Sequence, residues 1–312
     1  MNGAMSDPRD GSPATAEQAG ALARTAGVMR LLDEALGIRG DDARAWLNGQ
    51  VTNDVRHTAP GDAVYALIVS LSGKVLSDLW VLDRGDDGFV LLFPRGRRAP
   101  MREYLDRFVI MEDVEMDDLD VAVLTAQGPR ASEVLPDGFP CNRLGETGRD
   151  VLVAPADAAI TLTRAVEAAR LAGGCQVSAE GWELARVRQR VPRYGLDFGE
   201  NTLPQEAGLK QRAVSFDKGC YQGQEAVVML EHRGRPPKVL VALDIEGDGP
   251  PAPETPIDRD GSTVGRITTA LADPEHPGHA RALGYLKRAH TEGSPELRVA
   301  GRPARIEALL GG

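Results

Sequence analysis

Apolar residues follow two patterns in the first half of the chain, and each pattern predicts a different kind of element. The run 63–71 is almost continuously apolar and rich in Val, Ile, Tyr and Ala, which is typical of a buried strand. Residues 72–74 read Ser-Gly-Lys and predict a turn, so 75–82 becomes the returning strand of a hairpin. The segment 100–108 places its apolar residues at helical spacing and predicts an amphipathic helix.

The last quarter of the chain has a different pattern. Short β-like runs alternate with Gly and Pro turns, over 239–245, 264–269, 282–286, 297–299 and 304–310. Such spacing indicates a small antiparallel barrel or sandwich. Hairpins alternate with helices before it, and no Gly-x-Gly-x-x-Gly turn occurs. The sequence therefore predicts an α+β fold with largely antiparallel sheets, followed by a C-terminal β-barrel.

These patterns divide the chain into three parts. Residues 1–24 begin with a stretch rich in Ala, Gly, Asp, Ser and Pro, which predicts a disordered leader and not a signal peptide. We expect an α+β body over 25–235, in two lobes that divide near 120–160. The Pro-Pro pair at 236–237 marks the start of the barrel, 236–312. No run has the length of a membrane span, and we expect a cytoplasmic protein.

Charge and cysteine content exclude several functions. A net charge of -10 argues against a general nucleic-acid partner, because such binding depends on neutralising phosphates. Cys141, Cys175 and Cys220 are far apart, so we expect no disulfide framework. An iron–sulfur cluster normally takes four cysteine ligands, so we expect no self-contained cluster. His276 and His279 flank a Pro-Gly loop, and no metal site is predicted there.

Cys220 is the cysteine whose surroundings suggest chemistry. Lys218 stands two residues before it, and helical spacing after Gly223 predicts a short helix that begins there. A nearby ammonium and a helix N-terminus would both increase the thiolate fraction of a thiol. The alternative is that Cys220 is a small buried apolar residue, as free cysteines often are. The residues alone leave both interpretations open.

Residues 218–225 read Lys-Gly-Cys-Tyr-Gln-Gly-Gln-Glu. This octet resembles the signature of the YgfZ family, which comprises folate-binding proteins linked to iron–sulfur clusters and related to the glycine-cleavage T-protein, an aminomethyltransferase. Residues 40–55 and 71–79 are similar to two further family segments. The resemblance implies a T-protein-like body of two α+β lobes with a C-terminal barrel, and tetrahydrofolate or a derivative in a central channel.

The resemblance also implies roles for particular residues. Cys220 and Lys218 would be catalytic, supported by Gly219, Tyr221, Gly223, Gln224 and Glu225, and the folate contacts would come from Asp78, Asn53, Tyr65, Arg186 and Arg188. Two positions depart from the T-protein pattern. Ser77-Asp78 replaces an Asp-Asp pair, and Arg188 stands where those relatives carry the Glu that holds the pterin. Because an arginine cannot accept N–H groups, the pterin would be held differently or the ligand anchored by its tail.

Three functions follow from this resemblance. The first is a folate-binding protein that supports iron–sulfur cluster assembly or repair, with cluster proteins or their assembly factors as partners and any link to tRNA modification indirect. The second is a tetrahydrofolate-dependent aminomethyltransferase, and the third a non-catalytic folate sensor or scaffold. Whether the chain is an enzyme stays open at this point, and we expect a monomer.

Overall fold

The structure of the chain, a computed structural model, describes residues 13–145, 147–293 and 296–311. The helices in this part are α1 (Pro13–Arg24), α2 (Ala43–Gln50), α3 (Arg98–Asp106), α4 (Ala131–Val134), α5 (Ala158–Leu171), α6 (Ala179–Arg188), α7 (Lys210–Ala213) and α8 (Gln224–Arg233). The strands are β1 (Gly27–Leu31), β2 (Glu34–Arg39), β3 (Ala63–Val69), β4 (Val75–Asp83), β5 (Phe89–Phe93), β6 (Glu115–Leu119), β7 (Ala122–Gln127), β8 (Gly148–Val153), β9 (Cys175–Gln176), β10 (Lys238–Glu246), β11 (Pro256–Arg259), β12 (Ser262–Ala272), β13 (His279–Lys287), β14 (Leu297–Val299) and β15 (Arg302–Leu309).

The strands form two open sheets and one closed barrel. The first sheet has the order β3-β4-β5-β2-β6, and the second has the order β8-β7-β1-β9. Strands β10 to β15 close into a six-stranded barrel, in the order β10-β13-β12-β11-β14-β15. The predicted α+β fold with antiparallel sheets and a C-terminal barrel is therefore confirmed. Closure pairs both edges of the barrel sheet, so it has no free strand edge.

The predicted hairpin forms β3 and β4, which are antiparallel neighbours. Both faces of β4 are covered, which explains why most of its residues are apolar. Leu79 and Val81 pack into the core beneath α2 and α3, whereas Trp80 and Leu82 pack against Val123 of the second sheet. Successive strand residues point to opposite faces, so Asp78 lies on the face turned toward the second sheet.

The predicted disordered leader is wrong for residues 13–24. This segment forms α1, in which Ala19 and Leu22 are buried against α6 and β9. Composition alone misses it because the helix is Ala-rich and has few large apolar residues, and its stability comes from tertiary packing. Residues 1–12 of the predicted leader lie outside the described residues.

The two lobes do not divide at one point of the chain. Strand β1 precedes the whole first sheet, yet it pairs with β7 and β9 in the second sheet. The predicted division near 120–160 therefore misses the N-terminal contribution to the second lobe. The barrel starts with β10 at Lys238, two residues after the predicted boundary at 236. Within the described residues, no helix combines the length and apolar character needed to span a bilayer.

Candidate functional site

A cavity of about 490 Å³ opens where the two sheets meet α6. Such a volume is in the range of small-molecule sites in proteins. Its aromatic and apolar walls include Trp80, Trp182 and Tyr194. Asp78 and Tyr65 lie inside it, on neighbouring strands. The cavity thus combines flat walls with ionisable groups, which suits a planar polar ligand.

Asp78 and Tyr65 form a hydrogen bond on the inner face of the hairpin. The register places Tyr65 opposite Trp80, so Asp78 is the diagonal neighbour of Tyr65 on the same face. The Tyr65 hydroxyl donates to Asp78 Oδ2 at 2.8 Å. The other oxygen, Oδ1, is buried and accepts no hydrogen bond within the described residues. It is therefore an acceptor available to a ligand.

The surroundings of Asp78 favour its protonated form. Burial raises the pKa of Asp78 to about 6, and the nearby charge of Asp33 also raises it. The hydrogen bond from Tyr65 and the charge of Arg143 act in the opposite direction. Burial also raises the pKa of Tyr65 well above its ordinary value, so Tyr65 remains a donor. A carboxyl group with a pKa near 6 can gain and lose a proton near neutral pH.

Arg143 lines the same cavity as Asp78 and is ion-paired with two carboxylates, Asp150 and Asp33. Its Nε donates to Asp150 Oδ2 at 2.7 Å, and its Nη2 lies 2.7 Å from Asp33 Oδ2. Burial works against the charge of Arg143, but Asp150 and Asp33 raise its pKa overall, so it stays a cation. Asp33 and Arg143 both line the cavity. Neither was among the predicted site residues.

Further arginines line the outer part of the cavity. Arg30, Arg95 and Arg193 are exposed there. Arg193 is paired with Glu183, while no ion pair within the described residues involves Arg30 or Arg95. The cavity therefore has the Asp78 carboxyl group inside and exposed arginines at its mouth, with Asp33 and Glu183 also in its wall. That distribution suits a ligand with a polar ring and an anionic tail.

A second cavity of about 540 Å³ adjoins the first. The two share Tyr65, Trp80 and Arg212 in their walls. The guanidinium of Arg212 lies over the Tyr65 ring, 5.3 Å from its centre, which is within cation–π distance. Tyr65 and Arg212 therefore form part of the wall between the two cavities.

Asn53 lines this second cavity and not the one that holds Asp78. Its side-chain amide donates to the Tyr65 carbonyl at 2.9 Å, and its own carbonyl accepts from Lys218 at 2.7 Å. Asn53 thus connects the Tyr65 strand to the octet. Direct contact between Asn53 and folate stays a prediction, and the first cavity gives it no support.

The ammonium group of Lys218 is surrounded by backbone carbonyl groups. Its Nζ donates to the carbonyl oxygens of Asn48, Val51 and Asn53 at 2.6–2.7 Å, which takes up the three donors of an ammonium. Burial lowers the pKa of Lys218 to about 8, whereas the three carbonyl acceptors favour the charged form. The ammonium therefore secures the end of α2 and the turn after it. Its predicted effect on the Cys220 thiolate stays a prediction.

Cys220 is exposed, so it is not the buried apolar residue of the alternative interpretation. Helix α8 begins at Gln224, four residues after it. Gln224 Oε1 accepts from the Tyr221 backbone N–H at 3.3 Å, and Tyr221 is buried against the hairpin core. Glu225 is exposed, and its side chain makes no hydrogen bond with the described residues, so its supporting role stays a prediction.

The two glycines of the octet differ in their surroundings. Gly223 has φ +75°, and a Cβ there would lie 2.1 Å from the Ser70 carbonyl oxygen. It therefore permits both a left-handed turn and close packing on the hairpin. Gly219 has no left-handed φ, and the nearest atom to a Cβ there would be Arg56 Nη2 at 4.0 Å. The supporting role of Gly219 stays a prediction.

The two predicted arginines of α6 have different partners. Arg186 lines the cavity, but it is buried and donates to Asp197 Oδ2 at 2.7 Å and to Glu183. Arg188 points to the barrel, where it pairs with Asp273 and with Glu275. The structure therefore does not bring Arg188 to the cavity, contrary to its predicted contact with folate.

Comparison with known proteins gives a consistent result. Residues 12–143 match the GCVT N-terminal domain family. The chain is 29% identical over 300 residues to the aminomethyltransferase of Moorella thermoacetica, covering 87% of this chain and 81% of that protein. It is also 29% identical over 303 residues to the aminomethyltransferase of Rubrobacter xylanophilus, covering 88% of this chain and 79% of that protein.

A solved structure is similar over nearly the whole fold. The glycine cleavage system aminomethyltransferase T from Bartonella henselae superposes with a TM-score of 0.82 at 18% sequence identity, covering 94% of this chain and 88% of that one. The fold is GcvT-like, and the sequence matches support a GcvT-like relative. The YgfZ-type resemblance continues to depend on the octet and the segments similar to that family.

Proposed function

We propose that this chain binds a reduced folate in the cavity that holds Asp78. The single observation that carries the proposal is the polarity of the cavity. A carboxyl group with a free oxygen lies inside it, aromatic rings form its walls, and arginines lie at its mouth. A folate has the matching parts, namely a flat pterin ring with N–H groups and a carboxylate tail. The named aminomethyltransferase relatives support a folate ligand as well.

The finer proposal is that the bound folate supports iron–sulfur cluster assembly or repair, as in the YgfZ family. Its support is the complete octet and the exposure of Cys220 beside the start of α8. An exposed thiol can act as a transient ligand or a nucleophile, which a buried thiol cannot. In this proposal cluster proteins are partners of the chain, and the chain holds no cluster of its own.

The second candidate is an aminomethyltransferase of the glycine-cleavage type. The names of the relatives favour this candidate directly. Asp78 favours it too, because its pKa of about 6 suits proton exchange with a folate nitrogen. Two features weigh against it. Ser77 replaces the first carboxylate of the T-protein pair, and Arg188 faces the barrel.

Two assays separate these candidates. Turnover in a reconstituted glycine-cleavage reaction, with the lipoyl carrier protein and tetrahydrofolate, is expected to be absent for the iron–sulfur role and present for the second candidate. Recovery of cluster-enzyme activity in a strain lacking the corresponding gene is expected with the wild type and not with Cys220→Ser. Full recovery with Cys220→Ser contradicts a role for the thiol, and measurable glycine cleavage makes the second candidate the better one.

A further inference from the structure

The inner end of the cavity contains a buried acceptor without a hydrogen bond, and its wall also carries an ion pair. Among the described residues, Asp78 Oδ1 is a buried acceptor without a hydrogen bond. Arg143 Nη2 lies 2.7 Å from Asp33 Oδ2, in an ion pair whose geometry is not that of a hydrogen bond. A buried polar atom without a partner is costly, so such an atom in a cavity indicates a ligand that satisfies it.

Asp33 adds a second carboxylate at this place. It lies in the turn between β1 and β2 and lines the cavity, where Arg143 is its ion-pair partner. Asp33 and Asp78 both line the cavity, so the two carboxyl groups face a common space. The segment 141–145 brings Arg143 to the same space, anchored by Asp150.

We propose that Asp33 and Arg143, together with Asp78, bind the edge of the ligand ring that carries an N–H group beside a carbonyl. The carboxylates accept from the ring N–H groups, and Arg143 donates to the ring carbonyl. A reduced pterin has such a lactam edge. This inference depends on the proposed folate binding and deepens it by assigning the residues that recognise the ring.

The charged residues of α6 do not supply this contact. Arg188 pairs with Asp273 and Glu275 of the barrel segment and does not line the cavity. Glu183 is a poorer candidate, because it already accepts from both Arg186 and Arg193.

The test is tetrahydrofolate binding by calorimetry between pH 5 and pH 8. It compares the wild type with Asp33→Asn, Arg143→Lys and the matched control Asp260→Asn, whose side chain is 87% exposed. Asp33→Asn keeps the shape of the side chain and leaves the Arg143–Asp150 pair in place. We expect Asp33→Asn to lower the affinity for tetrahydrofolate at least 10-fold, and Arg143→Lys to lower it at least as much. The affinity of Asp260→Asn should stay within 2-fold of the wild type.

The pH profile separates ligand contact from a structural role. The charged and titratable groups that share the cavity wall with Asp78 come from several elements: Tyr65 of β3, Asp33 of the β1–β2 turn, Arg143 of the 141–145 segment, Glu183 and Arg186 of α6, Tyr194 after α6, and Arg212 of α7. Arg30, Arg95 and Arg193 lie at the mouth. Removing the charge of Asp33 should lower the pKa of Asp78, and we expect the pH midpoint of tetrahydrofolate binding to move to lower pH with it.

Each outcome decides between the two proposals. Wild-type affinity and an unchanged midpoint in Asp33→Asn overturn the ring-edge inference and leave folate binding standing. Absence of tetrahydrofolate binding by the wild type overturns the proposed function, and the inference fails with it. Because Arg143 is largely buried and ion-paired, its variant is compared only after its thermal unfolding matches that of the wild type. The Asp33→Asn result is decisive without it.

Discussion

The carboxyl group of Asp78 is poorly solvated in the folded chain. Its ionisation above about pH 6 should therefore lower the stability of the ligand-free protein. Its pKa is raised in the folded chain, so the folded state holds more protons than the unfolded state between about pH 4 and pH 6. Stability therefore falls as the pH rises through this window. We expect Asp78→Asn to raise the unfolding free energy by about 1–3 kcal/mol at pH 8.

The measurement is urea unfolding of Asp78→Asn and the wild type at pH 4, 6 and 8. The stabilisation should shrink toward zero at pH 4, where the wild-type carboxyl group is protonated in both states. An equal difference at all three values would mean that ionisation of Asp78 has no part in it.

Lys218 should be important for stability because its ammonium holds three backbone carbonyls. Lys218→Met leaves those carbonyls without their donor, and we expect a loss of about 2–4 kcal/mol in urea unfolding. The matched control is Lys287→Met, whose exposed Nζ has a single long contact at 3.4 Å. A loss at Lys218 no larger than that of the control would contradict the structural role.

At the residue scale, the sequence indicated Asp78 and Tyr65 but not Asp33 or Arg143. Asp78 and Tyr65 lie in a recognisable hairpin, so the strand pattern and the family resemblance both point to them. Asp33 and Arg143 are more than a hundred residues apart in the chain and meet only when the second sheet packs on the first. No local sequence pattern predicts the contact between Asp33 and Arg143.

At the scale of elements, the hairpin β3–β4 and helix α8 are joined at Gly223. Its left-handed φ and the close Ser70 carbonyl mean that a side chain adds both backbone strain and a clash. We expect Gly223→Ala to cost more than about 2 kcal/mol in thermal or urea unfolding.

Gly96 is the matched control, because it has a similar φ of +80° but open space around it. Gly96→Ala should cost about 1 kcal/mol, from backbone strain alone. If the two variants lose the same stability, then the contact between α8 and the hairpin adds nothing to the strain, and the geometry given for Gly223 is contradicted.

Across the whole molecule, carboxylates join the barrel to the body. Asp197 accepts from Arg186 on one side and from the hydroxyls of Thr268 and Thr269 on the barrel side. Asp273 lies in the barrel segment and accepts from Arg188 of α6. The cavity residue Arg186 therefore depends on the barrel for its position.

The contact between the barrel and the body should weaken at acid pH. Burial works against the charge of Asp273, but hydrogen bonds from Arg188 and Arg281 lower its pKa to about 2. Its stabilisation is present above about pH 4 and is lost as the pH falls toward 2. We expect Asp273→Asn to lose about 2 kcal/mol at pH 7 and to match the wild type at pH 2. A loss that is independent of pH would contradict this origin.

Sequence periodicity predicted the barrel well because its strands are short, regular and separated by turns. It failed for α1, whose alanine-rich face gives a weak apolar signal, and for the lobe division, because β1 crosses to the distant β7. Long-range pairing depends on packing that local patterns do not contain. The partner of Arg188 was missed for the same reason.

The measurement that tests the central claim most directly is tetrahydrofolate binding to the purified chain by calorimetry, at pH 7. It uses the wild type, Asp78→Asn and Cys220→Ser. We predict that the wild type and Cys220→Ser bind equally, because Cys220 does not line the Asp78 cavity. Asp78→Asn should bind at least about 10-fold more weakly, which corresponds to about 1.4 kcal/mol. No binding by the wild type, or undiminished binding by Asp78→Asn, would contradict a folate site in this cavity.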